Sequence, residues 1–205
     1  MDPALVDEAK RLGAATLHEA AGRIGALPSA IRSMAPELRL AGTAFPVSTP
    51  PGNNLWLHRA IPRASKGDVL VAVTGGHTEA GYWGEILTVG AMARGIRGLV
   101  IDSSVRDLEP IAALGFPMFA RGACIRGTKK DADAPGSLGE PITIGDVRIQ
   151  AGDLVVGDAD GVVVIPASIA EDVVQKGRDR EKHEAEVMER LRRGETTLDI
   201  WGLSP

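Results

Sequence analysis

Residues 75–107, GGHTEAGYWGEILTVGAMARGIRGLVIDSSVRD, decide the fold. An apolar run, Val69-Leu-Val-Ala-Val73, feeds into the Gly75-Gly76 turn, and a helix follows from Glu85 to Arg94. A second apolar run, Gly98-Leu-Val-Ile-Asp102, then ends in a loop that carries Arg106 and Asp107. Strand, turn, helix, strand, charged loop is the pattern of a βαβ unit. Loops at the carboxyl ends of such strands usually carry the chemistry. Both polar clusters, Gly75–Glu85 and Asp102–Asp107, follow strands and are therefore predicted to face one crevice.

Working outward, Lys66-Gly67-Asp68 is the turn before the first central strand, and Phe116-Pro-Met-Phe-Ala120 is a third strand after a helix over Leu108–Leu114. Strands alternating with helices predict a parallel βαβαβ core with right-handed crossovers. Beyond it, Ile142–Ile144, Val147–Ile149, Leu154–Val156 and Val162–Ile165 are separated by Gly-Asp or Asp-Gly turns, the pattern of antiparallel hairpins. Upstream, Asp2-Pro3 opens a helix that Gly13 ends, and Thr16–Gly22 reads as a second helix capped by Thr16. Leu38–Ser48 reads as a strand broken at Pro46, and Asn53 as the cap of a helix over 54–63. Ser168–Arg193 is a long charged helix stopped by Gly194; with so little apolar surface it is expected to lie across the body or a neighbouring subunit. The predicted class is α/β: a mixed-sheet domain over residues 1–166, then a C-terminal helix and tail over 167–205.

Composition narrows the function classes. With 23 basic and 27 acidic residues in 205, the net charge of −4 is too weak and mixed for a nucleic-acid or membrane surface. Aromatic residues make up only 3%, which disfavours stacking platforms for single strands. One cysteine, Cys124, excludes an internal disulfide and suits a reducing compartment. With no basic-then-apolar leader and no membrane-length apolar run, the expected location is cytoplasmic.

The candidate chemistry lies at two loops. The first-turn amides of Glu85, Ile86 and Leu87 are a ready anion site, and Gly84 leaves room for a ligand to approach. Arg106 can offer a planar fork of donors to a carboxylate or an enolate oxygen. Asp102, Asp107 and Glu85 supply hard oxygens suited to Mg²⁺ or Mn²⁺. Together they describe a pocket for a small oxo-acid. An Arg-Asp pair at a helix start also serves as a cap with a surface ion pair, and Glu85 as a helix-dipole partner. Spacing alone leaves these readings open. His18, His58, His77 and His183 show no ligand spacing and read as structural or surface groups, with His77 alone in a loop facing the crevice. Trp56, Tyr82 and Trp83 read as packing residues, and no nucleotide-binding glycine motif occurs.

These same blocks carry a resemblance. Gly67-Asp68, Gly75-Gly76, Gly84-Glu85-Ile-Leu, Gly95-x-x-Gly98-Leu-Val-Ile-Asp102, Val105-Arg106-Asp107, Gly115–Gly122 and Gly152–Pro166 resemble the RraA-like family, which includes class II pyruvate aldolases. The resemblance implies a fold of the swivelling β/β/α type. It also implies a metal-dependent retro-aldol cleavage of a 4-hydroxy-2-oxo acid that releases pyruvate, with oxaloacetate decarboxylation as a related activity. In that scheme Glu85 and Asp107 hold the metal site largely through water. The Ile86 and Leu87 amides bind the pyruvyl carboxylate, and Arg106 stabilises the enolate. Glu19 and Lys130 match family site positions, and Glu181 or Glu184 matches a glutamate lent by a neighbouring subunit in a trimer or hexamer.

Two departures stand out: Glu85 where the aldolases more often have Asp, and Ser103-Ser104 where they have a glycine after Asp102. The same family includes regulators that bind ribonuclease E, and these look shorter; the ending Thr197–Gly202 resembles the aldolases instead. A methyltransferase reading finds no glycine-rich cofactor motif to support it.

Overall fold

A computed structural model describes residues 1–203. In chain order the first half holds α1 (Pro3–Leu12), α2 (Ala14–Ala20), β1 (Arg32–Ser33), β2 (Leu40–Ser48), α3 (Leu55–Ala60), β3 (Asp68–Val73), α4 (Glu85–Ala93) and β4 (Gly98–Ile101). The second half holds β5 (Ser104–Val105), α5 (Leu108–Ala113), β6 (Met118–Ala120), β7 (Gly122–Ala123), β8 (Ser137–Leu138), β9 (Ile142–Ile144), β10 (Val147–Ile149), β11 (Leu154–Asp158) and β12 (Gly161–Ile165). A short 3₁₀ turn, Ala167–Ile169, leads into α6 (Ala170–Arg192), and α7 (Thr197–Trp201) follows.

The main sheet runs β1-β6-β4-β3-β2-β11-β12, with β8 pairing on β2. Its centre, β2, β3, β4 and β6, is parallel, and the flanking strands are antiparallel. Alternation along the strands sorts the core into two faces. Leu70, Ala72, Leu99 and Ile101 face α3, α4 and α5, packing with Leu57, Ala60, Leu87, Ala91 and Ile111. Val69, Val71 and Val100 face the other way, onto Phe119, Ile142, Ile144 and Ile149, so the β9–β10 hairpin covers that side. The two free edges approach each other. Leu27 N donates to Val162 O and Val164 N to Gly25 O, so the segment leading into β1 lies along the outer edge of β12. The predicted mixed α/β sheet, with a parallel core, antiparallel hairpins and a long C-terminal helix, is what the chain adopts.

Three local expectations are corrected. Pro46 does not break its strand: β2 continues through it, paired with Val71 of β3. On the other side β11 pairs with residues 40–43 and β8 with 47–48. Proline's missing donor therefore falls in the gap between two neighbours. Helix α2 begins at Ala14, two residues early, because its first amide is capped from afar by Asp158 Oδ2 (2.8 Å) rather than by Thr16. The third helix starts at Leu55 with Asn54, not Asn53, at its N-cap; Asn53 Oδ1 accepts from Leu55 N at 2.9 Å one residue earlier, and the regular part stops at Ala60.

Helix α6 packs on the body by its first half. Ala170, Val173, Val174 and Gly177 are buried against α1 and α2, and Val187 alone among later residues is buried. Gly177 permits the close approach: a Cβ there would lie 3.0 Å from Leu12 Cδ1. Among the described residues no helix is long and apolar enough to cross a membrane.

Candidate active site

The site forms where α4 starts, because three devices fix residues 81–84. Segment 81–83 pairs with β5: Tyr82 N donates to Ser104 O (3.1 Å), and Arg106 N to Trp83 O (2.9 Å). The Trp83 indole is fully buried, stacks on Phe116 (centroids 6.0 Å apart, planes at 7°) and donates to Thr88 Oγ1 at 2.7 Å. Thr88 Oγ1 in turn donates to Gly84 O at 3.1 Å, closing the first turn of the helix on itself. The start of α4 is thus anchored to the core rather than left on a free loop, which preorganises whatever binds there.

Asp107 adopts φ +58°, a left-handed conformation that Asp tolerates better than most residues. That turn swings its carboxylate back across Gly84, where Oδ2 accepts from Glu85 N at 3.0 Å and lies 3.7 Å from Arg106 Nε. Gly84 is required sterically: a Cβ would overlap Asp107 Oδ2 and come within 3.1 Å of Arg106 Nε. Asp107 therefore takes one of the three first-turn amides. Ile86 N and Leu87 N have no acceptor among the described residues, so two free amides remain beside the guanidinium.

These groups line a cavity of about 200 Å³. One wall holds Gly81, Gly84, Ile86, Leu87, Arg106 and Asp107. The opposite wall comes from the start of α3 and the loop before β8: Asn54, His58, Gly127, Thr128 and Lys130, with Tyr82 between the two. Asn54 Nδ2 donates to Tyr82 O at 3.0 Å, which ties the walls together. The His58 imidazole is held below its ordinary pKa by burial first and by the Lys130 charge second, so it is neutral at pH 7. Burial pushes the Tyr82 phenol up. Its oxygen accepts from Gly52 N (2.6 Å) and lies within hydrogen-bond distance, 2.9 Å, of His77 Nδ1.

Of the residues singled out in sequence, Gly84, Ile86, Leu87, Arg106, Asp107 and Lys130 meet at this cavity. Glu85 is exposed at the helix start, next to the cavity, with its amide on Asp107. Asp102 goes elsewhere: its Oδ1 accepts from Arg121 Nε at 2.5 Å, and it is not among the lining residues. Glu19, Glu181 and Glu184 lie on the α2–α6 side of the same chain. Glu19 pairs with Arg23 (3.2 Å), Glu184 with Arg180 (2.7 Å) and Glu181 with Arg11 (2.7 Å). His77 turns onto Tyr82 instead of lining the cavity. Sequence reading missed Asn54 and His58. Their i, i+4 spacing puts both on one face of a helix whose N-terminus opens towards α4, and that spacing was the available signal.

Among the described residues no three His, Cys, Asp or Glu side chains gather closely enough to enclose a metal. The acids at the cavity are Asp107 and, beside it, Glu85. One or two carboxylates with several retained waters is how Mg²⁺ is usually held, so this donor set fits a hydrated Mg²⁺ or Mn²⁺ and not a dry protein cage.

Residues 3–164 match the model of the RraA-like family, described as Aldolase/RraA. The chain belongs to the RraA-like family. A relative from Halalkalibacterium halodurans, named "Putative 4-hydroxy-4-methyl-2-oxoglutarate aldolase", is 38% identical over 155 residues, covering 76% of this chain and 73% of its own. Among solved structures, an uncharacterized protein from Pseudomonas syringae pv. tomato superposes with TM-score 0.84 at 32% identity, covering 96% of this chain and 92% of that one. Streptomyces coelicolor RraAS2, described as an unusual member of the RNase ES inhibitor RraA protein family, superposes at 0.79 with 28% identity, covering 92% and 98%. An RraA-like chain of about this length therefore also occurs on the inhibitor side of the family, and a long C-terminal segment does not by itself mark an aldolase.

Proposed function

We propose that this RraA-like protein is a divalent-metal-dependent pyruvate aldolase. It cleaves a 4-hydroxy-2-oxo acid such as 4-hydroxy-4-methyl-2-oxoglutarate to pyruvate and a second oxo acid, and it also decarboxylates oxaloacetate. The observation that carries the reading is the convergence of two unpartnered helix amides and the Arg106 guanidinium on one small cavity. The amides of Ile86 and Leu87 receive the substrate carboxylate, as a helix N-terminus receives anions generally. Arg106 sits one residue from Asp107 and over Gly84, where its donors meet the C2 oxygen as negative charge develops on it. A hydrated Mg²⁺ or Mn²⁺ held by Asp107 and Glu85 would supply Lewis-acid polarisation of the same oxygen. Lys130, on the facing wall, adds positive charge for an acid that carries a second carboxylate. A homo-oligomer, trimer or hexamer, is part of the proposal. The outer face of α4 exposes Ile86 (82%), Val89 (52%) and Met92 (40%), an apolar stripe that a second copy would cover.

The test is direct. Purified protein incubated with 4-hydroxy-4-methyl-2-oxoglutarate and with oxaloacetate, each with Mg²⁺, is expected to release pyruvate, and EDTA is expected to abolish the release. Turnover untouched by EDTA would remove the metal from the scheme. The second reading, a regulator that binds ribonuclease E, is favoured by the similarity to RraAS2. Capture of ribonuclease E by a protein that turns over neither acid would decide for it.

A further inference from the structure

The wall opposite Arg106 contains a polar atom with no evident structural use. Asn54 is 6% exposed, and its Oδ1 is buried without a hydrogen bond among the described residues. Its orientation is fixed: Nδ2 donates to Tyr82 O at 3.0 Å, and turning the amide over would set oxygen against oxygen. A buried acceptor left alone is costly, so the position is one where a use is expected. One helical turn later, on the same face, stands His58, whose backbone amide donates to Asn54 O at 3.3 Å. Its ring makes no hydrogen bond among the described residues, and burial first and the Lys130 charge second hold it below its ordinary pKa. Both residues line the cavity that holds Arg106 and the free amides.

We propose that Asn54 and His58 form the subsite for the substrate's 4-hydroxyl group, with His58 as the base that removes its proton; this rests on the aldolase reading. A retro-aldol step needs such a base, and Arg106, a permanent cation, cannot serve as one. In the step the hydroxyl proton passes to the unprotonated ring nitrogen of His58, and the O–H electron pair becomes the new C4 carbonyl. The C3–C4 bond breaks, and its pair becomes the pyruvate enolate, whose C2 oxygen faces Arg106. Return of the proton from the imidazolium to C3 gives pyruvate and restores neutral His58, so atoms and charge balance. Asn54 Oδ1 accepts a hydrogen bond from the hydroxyl before transfer and thereby orients it. The charged groups around this histidine are Lys130 on the adjoining loop of the same wall and Arg106 and Asp107 across the cavity, with Arg59 its neighbour on α3. Lys130 and burial together keep the ring neutral, the form a base requires.

Oxaloacetate has no 4-hydroxyl, and its decarboxylation calls for no such base. The ratio of cleavage to decarboxylation therefore isolates the subsite. In His58→Asn and His58→Phe that ratio is expected to fall at least ~100-fold, the lower range for loss of a general base. The acid limb of the wild-type cleavage profile, lying below pH 6.5, is expected to vanish in both variants. Asn54→Ala is expected to raise KM for the hydroxy acid more than for oxaloacetate. An equal loss of both activities, or an unchanged ratio, overturns the proposal. Exchange of the pyruvate methyl protons with deuterated water, followed by NMR, tests enolate formation without any hydroxyl group. Exchange together with an unchanged ratio sinks the subsite alone; neither exchange nor pyruvate release from the wild type sinks the aldolase reading and the subsite with it.

Discussion

Two charged clusters on this molecule are built to opposite ends. On the α1–α6 face, Arg11 holds both Glu8 (3.0 Å) and Glu181 (2.7 Å), and Arg178 holds Glu8 (3.0 Å). Each charge there has an opposite partner. The arginines hold the Glu8 carboxyl well below the usual range, at about 2, and Arg11 likewise lowers Glu181. At the start of α4, Arg106 meets a single acid at 3.7 Å, two amides have no acceptor, and Lys130 faces them across a cavity. The first cluster is satisfied by its own partners; the second is unsatisfied and lines a cavity. Donors left free on a rigid frame are what a ligand can use; paired charges fasten one helix to another.

That contrast can be broken from either side, and the largest effect belongs to the unsatisfied cluster. Arg106→Ala is expected to lower kcat for pyruvate release by ~10²–10³-fold, the cost of losing one oxyanion donor, with little change in Tm. A matching loss of thermal stability would mean that Arg106 is structural after all. Gly84→Ala comes next. Its methyl group would displace Asp107 and press on Arg106, and a shift of this kind costs about 10²-fold in rate. Steady-state kinetics alongside circular dichroism would separate this from unfolding. Lys130→Met is smaller still in its expected reach. Lys130 lowers the His58 pKa, so removing it moves the acid limb of the cleavage profile to higher pH, while burial, the larger cause, keeps that limb below 6.5. A limb that stayed in place would detach Lys130 from His58.

The satisfied cluster gives the smallest effect. Glu8→Gln is expected to cost no more than ~1 kcal/mol at pH 7 and to leave activity untouched, because exposed pairs are screened. Its carboxyl titrates lower in the folded chain than the ordinary 4.5, so the benefit is complete above pH 4.5 and fades as pH falls towards 2. The Tm difference between wild type and variant should close over that interval. A difference that persisted at low pH would assign it to packing.

What could be read in the sequence were the features set by neighbours along the chain. The runs at 69–73 and 98–101, the helix between them and the Asp2 cap all follow from local periodicity and turn chemistry. What could not be read were features made by distant partners. Asp158 caps α2 across 144 positions, and β1, β5, β7 and β8 are two-residue strands that exist only because another segment lies alongside. The site divides in the same way. Gly84, Arg106 and Asp107 sit within one βαβ unit, and their meeting is implied by its geometry. Asn54 and His58 belong to an earlier helix, and only the folded sheet brings them opposite Arg106. Asp102 shows the converse: it stands close in sequence, yet Arg121 of the next strand's loop draws its carboxylate away.

The seam formed by Gly25–Leu27 against β12 carries a last consequence. A sheet whose outermost backbone groups are already occupied offers no template for another chain to add to, which guards it from fibril-like growth. The guard is a single exposed stretch, with Gly22, Arg23 and Ile24 all open to solvent. A protease cutting there would unlatch the β12 margin, and the nicked molecule would become sticky while the cavity at the start of α4 was still intact.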